Sequence, residues 1–215
     1  MDVYKTEEEQ VESIKAWWKE NARALLIGVS IALASIFSWQ GWQQQQQKHA
    51  EEASDLFQQL IIEEKAEKTT QLADQIIADY ADTPYAALAS FQKAKQQLNA
   101  GNRKLAITTL ENIAQLTDSS SIKNIAQIRA LRIRLGNGDA KAVILEIDQY
   151  EPSNFSGQYE ELKGDAYLSL GDIEKARFAY ISALSGAASE KRFIQQKLDN
   201  LGPAELIDVE EKAVE

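Results

Sequence analysis

Few residues in this chain could do chemistry, and their types do not combine. His49 is the single histidine among 215 residues, and there is no cysteine. Imidazole is the usual general base near neutrality and the commonest metal ligand, so one histidine confines both chemistries to one position. His49 therefore reads as a solvated residue just past an apolar stretch. Two acids held close together can split their pKa values and act as acid and base. Glu51/Glu52 and Glu63/Glu64 are such pairs, but in a helical pattern they read as solvated helix faces. No GxxxxGK[ST], GxGxxG, HExxH or GxSxG occurs, so phosphate cradles, zinc hydrolysis and a nucleophile elbow have no signature. Asn154-Phe155-Ser156 spells a glycosylation acceptor, which has meaning only in a eukaryotic secretory setting. The expectation is no enzyme activity, no cofactor and no metal. Lack of cysteine excludes disulfides and thiol catalysis, and agrees with an oxidising compartment.

The elements that would position any site are easier to read. No Asp, Glu, Lys or Arg falls between Arg23 and Lys48, and the four tryptophans bracket that stretch as Trp17, Trp18, Trp39 and Trp42. As a helix, Trp18 to Trp39 spans about 31 Å, close to the hydrocarbon thickness of a bilayer. Indole rings settle at the headgroup level, so two tryptophan pairs at that separation predict a membrane-interface belt. The sequence thus divides into a cytoplasmic arm with an amphipathic helix (1–23), a transmembrane helix (24–42), a glutamine-rich helical linker (43–49), an exported domain (50–201) and an acidic, flexible tail (202–215).

Orientation follows from Lys15, Lys19 and Arg23, which crowd the near boundary, whereas the far side has Lys48 amid acids until Lys65. Lys and Arg at the ends of a span set its direction. The arm is expected in the cytoplasm and the large domain across the membrane, a single-pass type II arrangement. Ala32-Leu33-Ala34 fits a signal-peptide cleavage rule, but the apolar run continues to Trp42 and the arm is glutamate-rich, so a retained anchor is read. Thr6 and Glu9 make a capping box, and Val11, Ile14 and Trp18 recur at helical spacing, as expected of an interfacial helix. Ala24, Gly28 and Ala32, and Ser30, Ala34 and Ser38, form small-residue stripes that signal helix pairing only weakly. Of the net charge of -10, residues 1–23 carry -2 and the remainder -8. Such an acidic domain repels nucleic acid.

Beyond the linker the pattern is helical, with three prolines in the whole chain and no sustained alternation of strand type. Breaks recur at 84, 118, 152 and 186, a step of 34 residues. That is the period of the tetratricopeptide (TPR) helix–turn–helix unit. Within units, Gly101-Asn102, Gly136-Asn137-Gly138-Asp139 and Gly171-Asp172 supply turns. Gly164, Tyr167, Ala176, Tyr180 and Ala183 have the TPR spacing, while lysine or alanine replaces several seam residues in the middle unit. The predicted pairs are 50–66 with 69–80, 85–100 with 103–116, 122–135 with 139–150 and 156–170 with 173–185, then a closing helix at 188–200. The fold class is all-α: one N-terminal transmembrane helix followed by a TPR-like repeat domain. Stacked pairs build a concave wall that binds partners. In TPR register its inward candidates are Phe91, Lys95, Arg129, Arg132, Glu161 and Asp165.

Four stretches carry a resemblance over residues 2–201. They are Glu9-Gln10-Val11-Glu12-Ser13-Ile14-Lys15-Ala16-Trp17-Trp18-Lys19-Glu20-Asn21, Trp39-Gln40-Gly41-Trp42, Tyr85-Ala86-Ala87-Leu88-Ala89-Ser90 and Leu162-Lys163-Gly164-Asp165-Ala166-Tyr167. Together they resemble the YfgM family, the ancillary subunits of the bacterial SecYEG translocon. The acidic stretch after Leu201 departs from the family pattern. The resemblance implies an inner-membrane protein with a periplasmic TPR-like domain. Its implied partners are the SecYEG translocon, a PpiD-like periplasmic chaperone, translocating polypeptides and the lipid bilayer. The implied role is a non-enzymatic adaptor that hands exported chains to periplasmic chaperones. An alternative is negative regulation of an envelope-stress response, through the arm acting on a cytoplasmic response regulator. A subunit of an envelope enzyme complex, such as one for cell-wall synthesis, is the third reading.

Overall fold

The computed structural model describes residues 7–150, 154–186 and 190–203. Thr6 of the expected capping box, Pro152 and the stretch after Pro203 lie outside these. The described residues are helical, without a strand. The chain forms two compact units, residues 1–52 and 53–215.

The first unit is formed by helix α1 (Glu7–Ile62) up to Glu52. Its apolar window is long and apolar enough to cross a membrane, and none of it is buried by the described residues. An α-helix closes its backbone hydrogen bonds internally, as a segment in hydrocarbon must. Hydroxyls in the window do the same: Ser30 Oγ donates to Leu26 O and Ser35 Oγ to Ile31 O, each at 2.8 Å.

The second unit opens with the end of α1, where Ala53 and Leu60 are buried. It continues through α2 (Ala66–Asp79), α3 (Pro84–Asn99), α4 (Arg103–Asn112, extended by a 3₁₀ turn at Ile113–Gln115), α5 (Ser120–Gly136), α6 (Ala140–Ile147), α7 (Ser156–Ser169), α8 (Ile173–Ser185) and α9 (Lys191–Asp199). The sequence-predicted pairs are therefore present with small boundary shifts. Pro84 opens α3 at its first turn, where a missing N–H costs nothing. The turns within the later pairs are built alike. Gly101 has φ +79°; its N–H donates to Leu98 O at 3.0 Å and that of Asn102 to Gln97 O at 2.8 Å. Gly171, also at +79°, repeats this, with Asp172 N–H on Tyr167 O at 3.0 Å. This is the Schellman closure, and it needs a residue that tolerates a left-handed backbone.

One boundary departs from expectation. The first break falls at 63–65, not at 67–68. No glycine or proline marks it; Glu63 makes it. Its carboxylate accepts the Lys65 N–H at 3.1 Å and pairs with Lys68 Nζ at 2.9 Å. The Lys68 bond, then the Lys65 N–H, lowers the Glu63 pKa. Glu63 is thus a stop signal, not part of a solvated helix face. His49 is half-buried rather than fully solvated.

Small residues bring the helices together, and aliphatics fill the seams. Leu60, Ala73, Ile76 and Ala89 form the first cluster, and Ala87, Ala94, Ala106, Leu110, Ile113, Ala126 and Ala130 the second. Ile128, Leu131, Val143, Ile144, Ile147, Tyr159 and Leu162 fill the third; Ala176, Tyr180, Ala183 and Ile194 close the stack. The Gly164 backbone lies against the Tyr180 ring: a Cβ there would stand 2.4 Å from Tyr180 Cε1. Arg134 on α5 adds a polar tie, bonding Glu111 of α4 and Glu146 of α6 at once.

Candidate partner-binding groove

Helical spacing sets which side chains share a face. On α3, Phe91, Lys95 and Leu98 recur at i, i+4 and i+7; on α7, Gln158, Glu161 and Asp165 at i, i+3 and i+7; on α9, Phe193 and Lys197 at i and i+4. Together with α5 these faces enclose two adjoining cavities. The first, of about 250 Å³, has Phe91, Ala94, Leu98, Leu110 and Ile133 as an apolar floor, with Lys95, Arg129 and Arg132 at its rim. The second, of about 530 Å³, is more polar and takes in Phe155, Gln158, Glu161, Asp165, Phe193 and Lys197. Arg129 and Arg132 border both.

The six wall candidates from sequence thus come together along one groove. Phe91 and Lys95 lie at one end, Glu161 and Asp165 at the other, and Arg129 and Arg132 between them. The Arg129 guanidinium sits over the Phe91 ring, 4.6 Å from its centroid, a cation–π contact that holds the guanidinium in place.

The acidic end is internally paired. Lys197 Nζ reaches Glu161 and Asp165 at 2.7 Å each, and lies 4.9 Å from the Phe193 centroid. The Tyr180 hydroxyl donates to Asp165 Oδ1 at 2.7 Å. Burial, then the Asp165 bond, pushes the Tyr180 pKa well up, so that hydroxyl stays a donor throughout the physiological range. Beside the groove, Tyr159 donates to Asn124 Oδ1 at 3.0 Å, and burial raises its pKa too. Both hydroxyls are held by side-chain acceptors. Among the described residues no three His, Asp or Glu side chains converge as metal ligands would.

Sequence reasoning missed Lys197, Phe193, Phe155 and Leu98. Lys197 stands 68 residues after Arg129, two steps of 34, so carrying the repeat register on to α9 would have found it. In the first unit, Trp17, Trp18, Trp39 and Trp42 are all exposed, and the Trp39 and Trp42 rings lie 5.1 Å apart. Lys15, Lys19 and Arg23 fall at i, i+4 and i+8, a cationic stripe on α1 beside the apolar window.

Residues 15–203 match the family model described as a tetratricopeptide repeat-like domain. Relatives span the length of the chain. The ancillary SecYEG translocon subunit of Escherichia coli (strain K12) is 26% identical, over 94% of this chain and 99% of its own length. The protein of that name from Aggregatibacter actinomycetemcomitans is 27% identical over 91% and 97%, and that from Haemophilus influenzae 24% over 93% and 100%. No solved structure matches significantly.

Proposed function

The chain belongs to the tetratricopeptide repeat-like domain family, and from that premise we propose that it is a non-enzymatic, membrane-anchored adaptor at the SecYEG translocon. One observation carries the reading: a helix able to cross a membrane continues into a repeat domain whose described residues form an open groove. The names of the full-length relatives support the translocon as the assembly it joins. On this reading the span lies in the inner membrane, with Trp17, Trp18, Trp39 and Trp42 at its two interfaces. Lys15, Lys19 and Arg23 keep the arm in the cytoplasm, and the repeat domain stands in the periplasm. There the wall of Phe91, Lys95, Arg129, Arg132, Glu161 and Asp165 receives translocating polypeptides or a PpiD-like chaperone. Repeat proteins bind in this way, through a few anchors within an extended surface.

The experiment is co-purification of tagged full-length chain from membranes. Arg129→Glu with Arg132→Glu should reduce recovery of the chaperone or of translocating chains, with helical content unchanged. Recovery unaffected by that change but abolished by one on the opposite face would sink the assignment. Protease added to spheroplasts should digest everything beyond about Lys48; full protection would reverse the topology. The exposed Val11, Ile14, Trp17 and Trp18 leave room for a cytosolic regulator on the arm. If deleting the arm, and not the repeat domain, changes the output of an envelope-stress response, that regulatory role replaces the adaptor.

A further inference from the structure

Several cations on this domain have carboxylates of their own. Lys93 pairs with Asp74, Lys163 with Asp148, Arg134 with Glu111 and Glu146, and Lys197 with Glu161 and Asp165. The apolar end of the groove differs. Among the described residues no carboxylate lies within ion-pair distance of Lys95 or Arg129, and Arg132 has only a 3.8 Å approach to Glu161. Three cations therefore border an apolar floor, in a chain of net charge -10.

We infer that this end of the groove is a site for an acidic–apolar segment of the partner polypeptide: one large aliphatic or aromatic side chain on the Phe91–Leu98–Ile133 floor, flanked by Asp or Glu on Lys95 and Arg129. The inference rests on the adaptor reading of the groove and specifies its ligand. A cavity of about 250 Å³ is roughly eight times the volume per molecule of liquid water, enough for one such side chain. Stacking of Arg129 on Phe91 leaves the in-plane edge of the guanidinium free, and that edge matches a carboxylate with two N–H donors. Lys95 lies one helical turn beyond Phe91 on α3 and adds a second positive charge across the floor from α5. A lysine-rich segment would face three like charges there. The acids of the neighbouring cavity give it little compensation, since Glu161 and Asp165 are already held by Lys197.

The test is fluorescence anisotropy with full-length chain in detergent and three labelled peptides. Each carries a Leu-Phe pair, flanked on both sides by Glu, by Gln or by Lys. The Glu peptide should bind at least tenfold tighter than the Gln peptide, weaken with added salt, and lose that preference in Lys95→Glu/Arg129→Glu. The Lys peptide should fail on native protein and bind the doubly reversed variant, a gain that misfolding cannot produce. Equal affinity for all three peptides overturns the inference, as does a charge preference that survives the double reversal. Neither result touches the adaptor reading, which stands or falls on membrane co-purification. Deleting residues 204–215, which include Glu205-Leu206-Ile207-Asp208, decides the occupant. Unchanged affinity supports a partner segment; a sharp gain shows the chain's own acidic stretch in the site and overturns that assignment.

Discussion

Leu26 and Phe37 are 62% and 67% exposed, whereas Leu60 and Tyr180 are 1% and 0% exposed. The first two belong to residues 1–52 and the others to residues 53–215. Both regions are helical and rich in apolar side chains; they differ in what does the burying. A bilayer accepts any sufficiently apolar helix that closes its own polar groups, as Ser30 and Ser35 do on the preceding turn. A repeat stack accepts only helices whose shapes match, as Gly164 matches Tyr180. Substitutions should therefore divide cleanly into those that affect one region and those that affect the other.

Tyr180→Ala gives the largest expected effect. Truncating a fully buried aromatic costs about 3–5 kcal/mol, and Asp165 loses its hydroxyl donor. The helical melt of the domain should shift far downward while the chain stays in the membrane fraction; loss from membranes would break the separation. Leu33→Lys is the converse. A lysine near the centre of a span opposes insertion by about 2.5–3.5 kcal/mol. Carbonate extraction should then release the chain with its domain melt unaltered, and full retention would contradict the membrane reading.

Two glycines sharpen the contrast. Gly164→Ala drives a methyl group into the Tyr180 ring and should cost about 1–3 kcal/mol of domain stability. Gly28→Ala meets nothing within 4 Å and should leave the melt unmoved. Equal effects would mean that Tyr180 can move aside. Acid titration gives the smallest effect. Hydrogen bonds from Lys175, side chain first and then backbone N–H, hold the Asp172 pKa below its ordinary 3.8. A lowered folded pKa contributes stability above the unfolded value, lost as pH falls through the folded one. Asp172→Asn should therefore melt below native protein at neutral pH, with the gap closing in acid; a gap independent of pH would rule out the carboxylate as its source.

The same contrast decides what was legible in the sequence. The span could be read from composition, because partitioning depends on composition. The repeat could be read because its punctuation is local: Pro84, and glycines such as Gly101 and Gly171, act on their own turns. The break at Glu63 was not legible, since an acid in a helical run becomes a stop only when Lys65 and Lys68 close on it. Nor were the pairings within the groove. Lys197 with Glu161, and Arg134 with Glu111, join residues 36 and 23 apart, and their partners are chosen by packing geometry. The six wall positions could be listed from register, but not that five of them would meet a cation–π contact or an ion pair.

Arrays whose units touch only their neighbours can peel apart one unit at a time. Arg134 opposes peeling, because it stands on α5 and grips α4 and α6 together. Pulling either helix away strains both charge-assisted bonds through one guanidinium. A polypeptide tugging on a segment lodged against α3 and α5 would therefore load four helices at once. Single-molecule extension should show one rupture for these two pairs in native protein and two in Arg134→Met; two in both would remove the mechanical role. By this route the walls of the groove also become elements that can bear tension.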